Sequence, residues 1–106
     1  MRQIFIDKFV VPKNAVDEFV KRMNSNMGFI KTLPGLIENA CYERTDERGN
    51  VIVITVAVWE SENVLKNAKD AVQTEYRRVG FNPTEMLARL NIMVDRGTYK
   101  LMDLQK

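Results

Sequence analysis

Asp7 stands between Phe5 and Phe9 in the segment Gln3 to Val11, QIFIDKFVV. Alternate residues of a strand share a face, so this spacing places one carboxylate between two aromatic rings. Burial in an apolar cleft disfavours the charged form and raises a carboxyl pKa, and such a group can act as a general base toward a phenol or an enol. An acid on a strand can equally be paired with an arginine or a lysine, and both readings stand at this point. Few other residues compete with it. Histidine is absent and Cys41 is the single cysteine. That removes histidine bases, a proximal histidine for haem, a disulfide framework and a plausible zinc site.

Three further residues can shape a site around an aromatic molecule. Trp59 closes the run Val51 to Glu60, VIVITVAVWE. Its indole can line a substrate pocket and donate a hydrogen bond, or it can fill a core or an interface. Asn39 falls mid-strand, where an amide needs partners; it can hold a substrate carbonyl or bond the neighbouring backbone. Tyr76 lies on an apolar helix stripe, where its phenol can donate to an oxyanion or simply sit at a packing rim. Cys41 reads as a small buried hydrophobe, and Phe19, Met23, Met27 and Met93 as core, although methionines also suit a flat apolar ligand. Arg44, Arg77 and Arg78 can attract an anion, or they are solvated.

The elements that must position these residues follow from periodicity. The first segment is a strand ended by Pro12. Ala15, Val16, Phe19, Val20, Met23, Met27 and Ile30 keep helical spacing and predict a helix over Asn14 to Lys31, with Asn14 as N-cap. After Pro34-Gly35, Leu36 to Thr45 predicts a strand, Asp46 to Asn50 a hairpin loop, and Val51 to Glu60 a third strand. Ser61 caps a helix to Val79, with Val64, Leu65, Ala68, Val72 and Tyr76 as its stripe. Asn82-Pro83 starts a short helix through Leu90, and Ile92 to Met102 predicts the last strand. The order β-α-β-β-α-α-β implies an α+β, ferredoxin-like, four-stranded antiparallel sheet with helices on one face, in one domain over residues 1–106.

The third strand carries an excess of apolar surface. Val51, Val53, Thr55, Ala57 and Trp59 take one face, and Ile52, Ile54, Val56 and Val58 the other. Helices can cover only one of these faces, and a second copy of the chain is the economical cover for the other, which predicts a homodimer with a barrel-like centre. Hydrophobic residues make up 45% and charged residues 28% of the 106, an ordinary globular composition. The net charge of +2 and the acid-broken basic runs argue against a nucleic-acid partner. Without a signal peptide or an apolar run of about 18 residues, no membrane association and a cytoplasmic location are expected. Neither GxGxxG nor GxxxxGK[ST] occurs, so neither a flavin nor a nicotinamide cofactor is expected.

Three segments, FIDKFVVPKNAVDEFVKRM, TLPGLIENACYER and ITVAVWESENVLKNA, resemble the antibiotic biosynthesis monooxygenase (ABM) family of dimeric α+β barrel proteins. The order and spacing of "PGL" before the second strand and "VWES" after the third carry the likeness, which spans residues 3 to 101. The resemblance implies a dimeric α+β barrel and an oxygenase acting on an aromatic, quinol-like or polyketide-like molecule without metal or flavin. A haem-degrading branch of similar architecture uses an asparagine on the first strand and a tryptophan and a histidine on the second helix. The corresponding positions here hold Asp7, Ala68 and Arg78, so haem degradation is not expected. The expectation is a monooxygenase with Asp7 catalytic, Asn39, Trp59 and Tyr76 binding substrate, and no cofactor. The alternatives are a non-catalytic small-ligand-binding or stress-related protein of the same fold, and a purely structural interaction module.

Overall fold

The computed structural model describes residues 1–105. Strand β1 (Gln3–Val11) leads through a single 3₁₀ turn (Lys13–Ala15) into α1 (Val16–Ile30). Strands β2 (Leu36–Thr45) and β3 (Val51–Trp59) form a hairpin, followed by α2 (Glu62–Val79), α3 (Pro83–Arg89) and β4 (Met93–Tyr99). The sheet runs β2-β3-β1-β4, and every neighbouring pair is antiparallel. This is the ferredoxin-like α+β arrangement that the element order implies.

Local chemistry sets the boundaries. The Ser61 hydroxyl accepts from the Val64 N–H at 3.1 Å and starts α2, and Gly80, at φ 70°, ends it in the left-handed conformation that costs glycine least. The Asn82 side chain accepts from the Glu85 N–H at 3.1 Å, with Pro83 opening α3. The start of α1 differs from expectation. Asn14 makes no cap; it lies inside the 3₁₀ turn, which the Ala15 N–H closes on the Pro12 carbonyl at 2.9 Å, and α1 begins two residues later. Proline at 12 holds its neighbourhood in a tight turn before the wider α-helical repeat can begin. Strand β4 is also shorter than its apolar pattern suggests, stopping at Tyr99.

The helices cover the sheet face that carries Phe5, Asp7 and Phe9. The core there divides in two. Phe9, Val11, Ala15, Phe19, Val53, Met86 and Ile92 form one cluster, and Trp59, Leu65 and Ala68 form another. Between them the floor is low, because β3 presents Thr55 and Ala57 where a larger pair would fill the gap. The opposite face holds Ile4, Ile6, Val10, Ile54 and Val56, all half-buried, with Tyr42, Met93 and Tyr99 exposed at its flanks. Among the described residues no helix crosses that face, and they form a slab only 18 Å thick. Among the described residues no helix is long and apolar enough to cross a membrane.

Candidate functional site

A cavity of about 500 Å³ opens between the sheet and the helices. Asp7, Asn39, Trp59 and Tyr76 all contribute to its wall, one from each of β1, β2, β3 and α2. Register explains how the three sheet residues reach one side. Asp7 pairs across the strands with Thr55 and Arg96, and Asn39 pairs with Ala57, which in turn pairs with Phe5. An irregularity between Leu36 and Glu38 resets β2 so that Asn39, and not Glu38, shares the helix-covered face.

Asp7 is the chemically distinctive member. Its side chain is 18% exposed, and Arg96 Nε lies 3.3 Å from Oδ1. The Arg96 N–H is not aimed along that line, so Oδ1 accepts no hydrogen bond despite being buried. Burial pushes the Asp7 carboxyl above the ordinary carboxylate range, and the positive charges of Arg96 and Lys69 offset only part of that rise. The two readings open in the sequence therefore coexist: the acid is paired with Arg96, and its side chain also lines an apolar cavity.

The other wall residues are held by contacts of different kinds. Trp59 is 3% exposed and packs with Leu65 and Ala68, so it serves core and cavity together. The Asn39 amide donates to the Met27 sulfur at 3.7 Å, a weak acceptor that leaves the amide oxygen unengaged. Tyr76 stacks edge-on against Phe81 at 5.1 Å, and burial raises its phenol pKa further from neutrality, so it is a hydrogen-bond donor there rather than a base. Phe19, Met23 and Met27 line the apolar part.

Sequence reasoning missed the cavity's cations. Arg22, Lys69 and Arg96 line it, whereas Arg44, Arg77 and Arg78 do not. Arg78 instead forms a two-pronged pair with Glu75, both hydrogen bonds at 2.8 Å. Lys69 places Nζ 4.8 Å over the Phe5 ring, and Arg22 lies 3.7 Å over Phe81. The basic run that holds Lys69 reads as a solvated face from sequence, yet the position lies one turn from Leu65 on the helix edge that borders the cavity. Two more expectations need correction. Cys41 is exposed in the single chain, because β2 is an edge strand whose outer half extends past the helices. Met93, expected in the core, is 72% exposed, since it points to the uncovered face opposite Val10. No three histidine, cysteine, aspartate or glutamate side chains cluster to hold a metal among the described residues.

Neither a protein-family model nor a curated protein matches the sequence. Solved structures do match. A provisionally assigned monooxygenase of Shewanella loihica PV-4 aligns over 97% of this chain and 96% of its own, with 18% identity and a TM-score of 0.71. SnoaB, a cofactor-independent oxygenase of Streptomyces nogalater, aligns over 97% and 95%, with 17% identity and a TM-score of 0.65. A provisionally assigned antibiotic biosynthesis monooxygenase of Bacillus cereus aligns over 99% and 97%, with 22% identity and a TM-score of 0.62. The fold of this chain is the fold of the ABM proteins. At these identities the likeness speaks for architecture, and chemistry must be argued from the cavity.

Proposed function

We propose that this protein is an oxygenase that needs neither metal nor flavin, and that Asp7 is its general base toward a phenolic, hydroquinone or anthrone-like substrate of two or more rings. The observation that carries this reading is the Asp7 carboxylate, 18% exposed, in the wall of a largely apolar cavity. Such a carboxylate can take a proton from an acidic O–H or C–H, and its raised pKa brings it nearer to that of the group it must deprotonate. The deprotonated substrate is rich enough in electrons to reduce O₂ itself. For an anthrone, the carbanion forms a C–O bond to oxygen and gives a peroxide anion, which takes back the proton held by Asp7. Loss of the second C–H proton then breaks the O–O bond, the carbon becomes a ketone, and the released hydroxide and proton make one water.

The remaining wall residues suit that chemistry. Arg96 lies beside Asp7 and can stabilise the oxyanion that forms, without reorganisation at the moment of reaction. Asn39 and Asp7 sit two strands and two residues apart, on the order of 12 Å between backbones, so one multi-ring molecule can touch both. Trp59 gives that molecule a flat wall, and a dry pocket protects the reactive anion from solvent protons. The reading also includes a homodimer. The bare sheet face, with Tyr42, Met93 and Tyr99 exposed around Ile6, Ile54 and Val56, is an apolar surface of the kind that a second copy covers. Oxygen uptake with anthrone and with menadiol tests the proposal. Uptake above the uncatalysed rate, lost in Asp7→Asn, supports it, and the absence of any such uptake refutes it.

A further inference from the structure

Arg22 has no part in the proton transfer, yet its guanidinium is held by aromatic and hydrogen-bond contacts at the cavity. It arises from α1 and lies at the junction of the main cavity with a smaller cleft of about 170 Å³ between α1 and α2. Its guanidinium is stacked 3.7 Å over the Phe81 ring and 5.8 Å from the centre of Tyr76. Its Nε donates to the Asn26 Oδ1, one helical turn on, at 3.1 Å. Those contacts fix the plane of the fork and use one of its five N–H donors. No ion pair among the described residues involves Arg22. Glu75 lines the smaller cleft and feels the Arg22 charge, but both Glu75 oxygens are already held by Arg78.

Charge balance points the same way. Arg22, Lys69 and Arg96 face the cavity, and among the described residues Asp7 is the one carboxylate in its wall. Arg96 is matched by Asp7, and Lys69 is aimed at the Phe5 ring. Arg22 is left as a half-buried, oriented, unmatched guanidinium, and such a fork matches the two oxygens of a carboxylate. We infer that Arg22 is a carboxylate-recognition subsite, and that the molecule this cavity selects is an aromatic acid: fused rings against Trp59 and Met27, and a carboxylate at Arg22 on the main-cavity side of the junction.

This inference deepens the proposed substrate class and rests on the cavity being a small-molecule site, but it does not need turnover. Trp59 is the only tryptophan and lines the cavity, so its fluorescence reports binding directly. The probes are anthraquinone-2-carboxylate and its neutral carboxamide, which are already oxidised and stable in air. A hydrogen bond to a charged partner contributes about 1.5–3 kcal/mol, which corresponds to roughly 10-fold to 150-fold in affinity. The wild type is expected to bind the acid at least about 10-fold more tightly than the amide, and Arg22→Gln to bring the two affinities together. Arg22→Lys, which keeps the charge but loses the fork, is expected to retain only part of the preference. Equal affinities in the wild type, or a preference undiminished in a folded Arg22→Gln, would overturn the inference. If Arg22→Gln fails to fold, an acid preference unreduced in Arg22→Lys has the same force. Selective binding without oxygen uptake keeps the subsite and removes the oxygenase reading.

Discussion

Replacing Asp7 by asparagine separates a catalytic carboxylate from a structural one, because the structure predicts opposite effects on rate and stability. The substitution keeps shape and removes the base, so the rate is expected to fall by about 10²–10⁴-fold, or about 3–5 kcal/mol on the barrier. Stability has a different sign. The Asp7 carboxyl titrates above its ordinary value of 3.8 because burial penalises the charge. A group with a raised folded-state pKa binds more protons in the folded chain than in the unfolded one. Stability therefore falls as pH rises from the unfolded value through the folded one, and at neutral pH ionised Asp7 is a net cost. Its pair with Arg96 returns little, since the arginine side chain is 49% exposed and pairs of that kind contribute about 0–1 kcal/mol. Asp7→Asn should thus unfold at the same temperature as the wild type or slightly higher at pH 7, while oxygen uptake with anthrone collapses. The wild-type rate should rise with pH through a midpoint above the ordinary carboxylate range, and that limb should vanish in the variant. An oxygen electrode and a thermal melt across pH 4 to 8, a range set by the usual carboxylate pKa of about 4, are sufficient. Full turnover in a folded Asp7→Asn, or an acidic limb that survives the substitution, refutes the assignment.

Other predictions concern assembly, exclusion of haem and backbone strain. Sedimentation at micromolar concentration should give about 25 kDa, twice the chain mass of 12.3 kDa, and a well-folded monomer there would contradict the covered-face argument. Val56→Lys places a charge on the bare face and should yield monomer or poorly soluble protein, as judged by size-exclusion chromatography. Haemin titration should give no stoichiometric Soret shift, since Asp7, Ala68 and Arg78 replace the asparagine, tryptophan and histidine of the haem-degrading pattern; a tight shift with product formation under a reductant would reverse that view. Gly35→Ala should destabilise by about 2 kcal/mol or more, because φ at this position is 83° and the added methyl would collide with Val64 Cγ1. A melt within about 1 °C of the wild type would show that α2 shifts freely there.

Periodicity alone places nearly every element. Hydrophobic spacing, Ser61 as cap, Gly80 as terminator and Asn82-Pro83 as initiator act within a few residues, so they are readable without a fold. They lead to the element order, and the order leads to the ferredoxin-like sheet. Alternation also brings Phe5, Asp7 and Phe9 to one face, and it puts Thr55, Ala57 and Trp59 on the matching row of β3. The placement of Asp7, Asn39, Trp59 and Tyr76 around one cavity depends on the strand order β2-β3-β1-β4 and on the irregularity at the start of β2. Sequence reasoning reached these residues by chemistry, and register put them within reach of one molecule.

The cations were not legible, and the reason is physical. Lys69 and Arg22 belong to helices whose charged residues mostly face water, and composition cannot tell a solvated arginine from one stacked on Phe81 fifty-nine residues later in the chain. Arg96 pairs with Asp7 across β1 and β4, a contact between the first and last strands that no local pattern encodes. The same holds for Cys41 and Met93, whose exposure depends on where the helices stop and which face they leave bare. The sequence by itself determined the elements, the doubly apolar third strand and the absence of histidine chemistry, because these depend on short-range spacing and residue identity. Only the tertiary structure decided that a carboxylate would line a cavity with unmatched positive charge, because that balance is set by groups brought together from both ends of the chain.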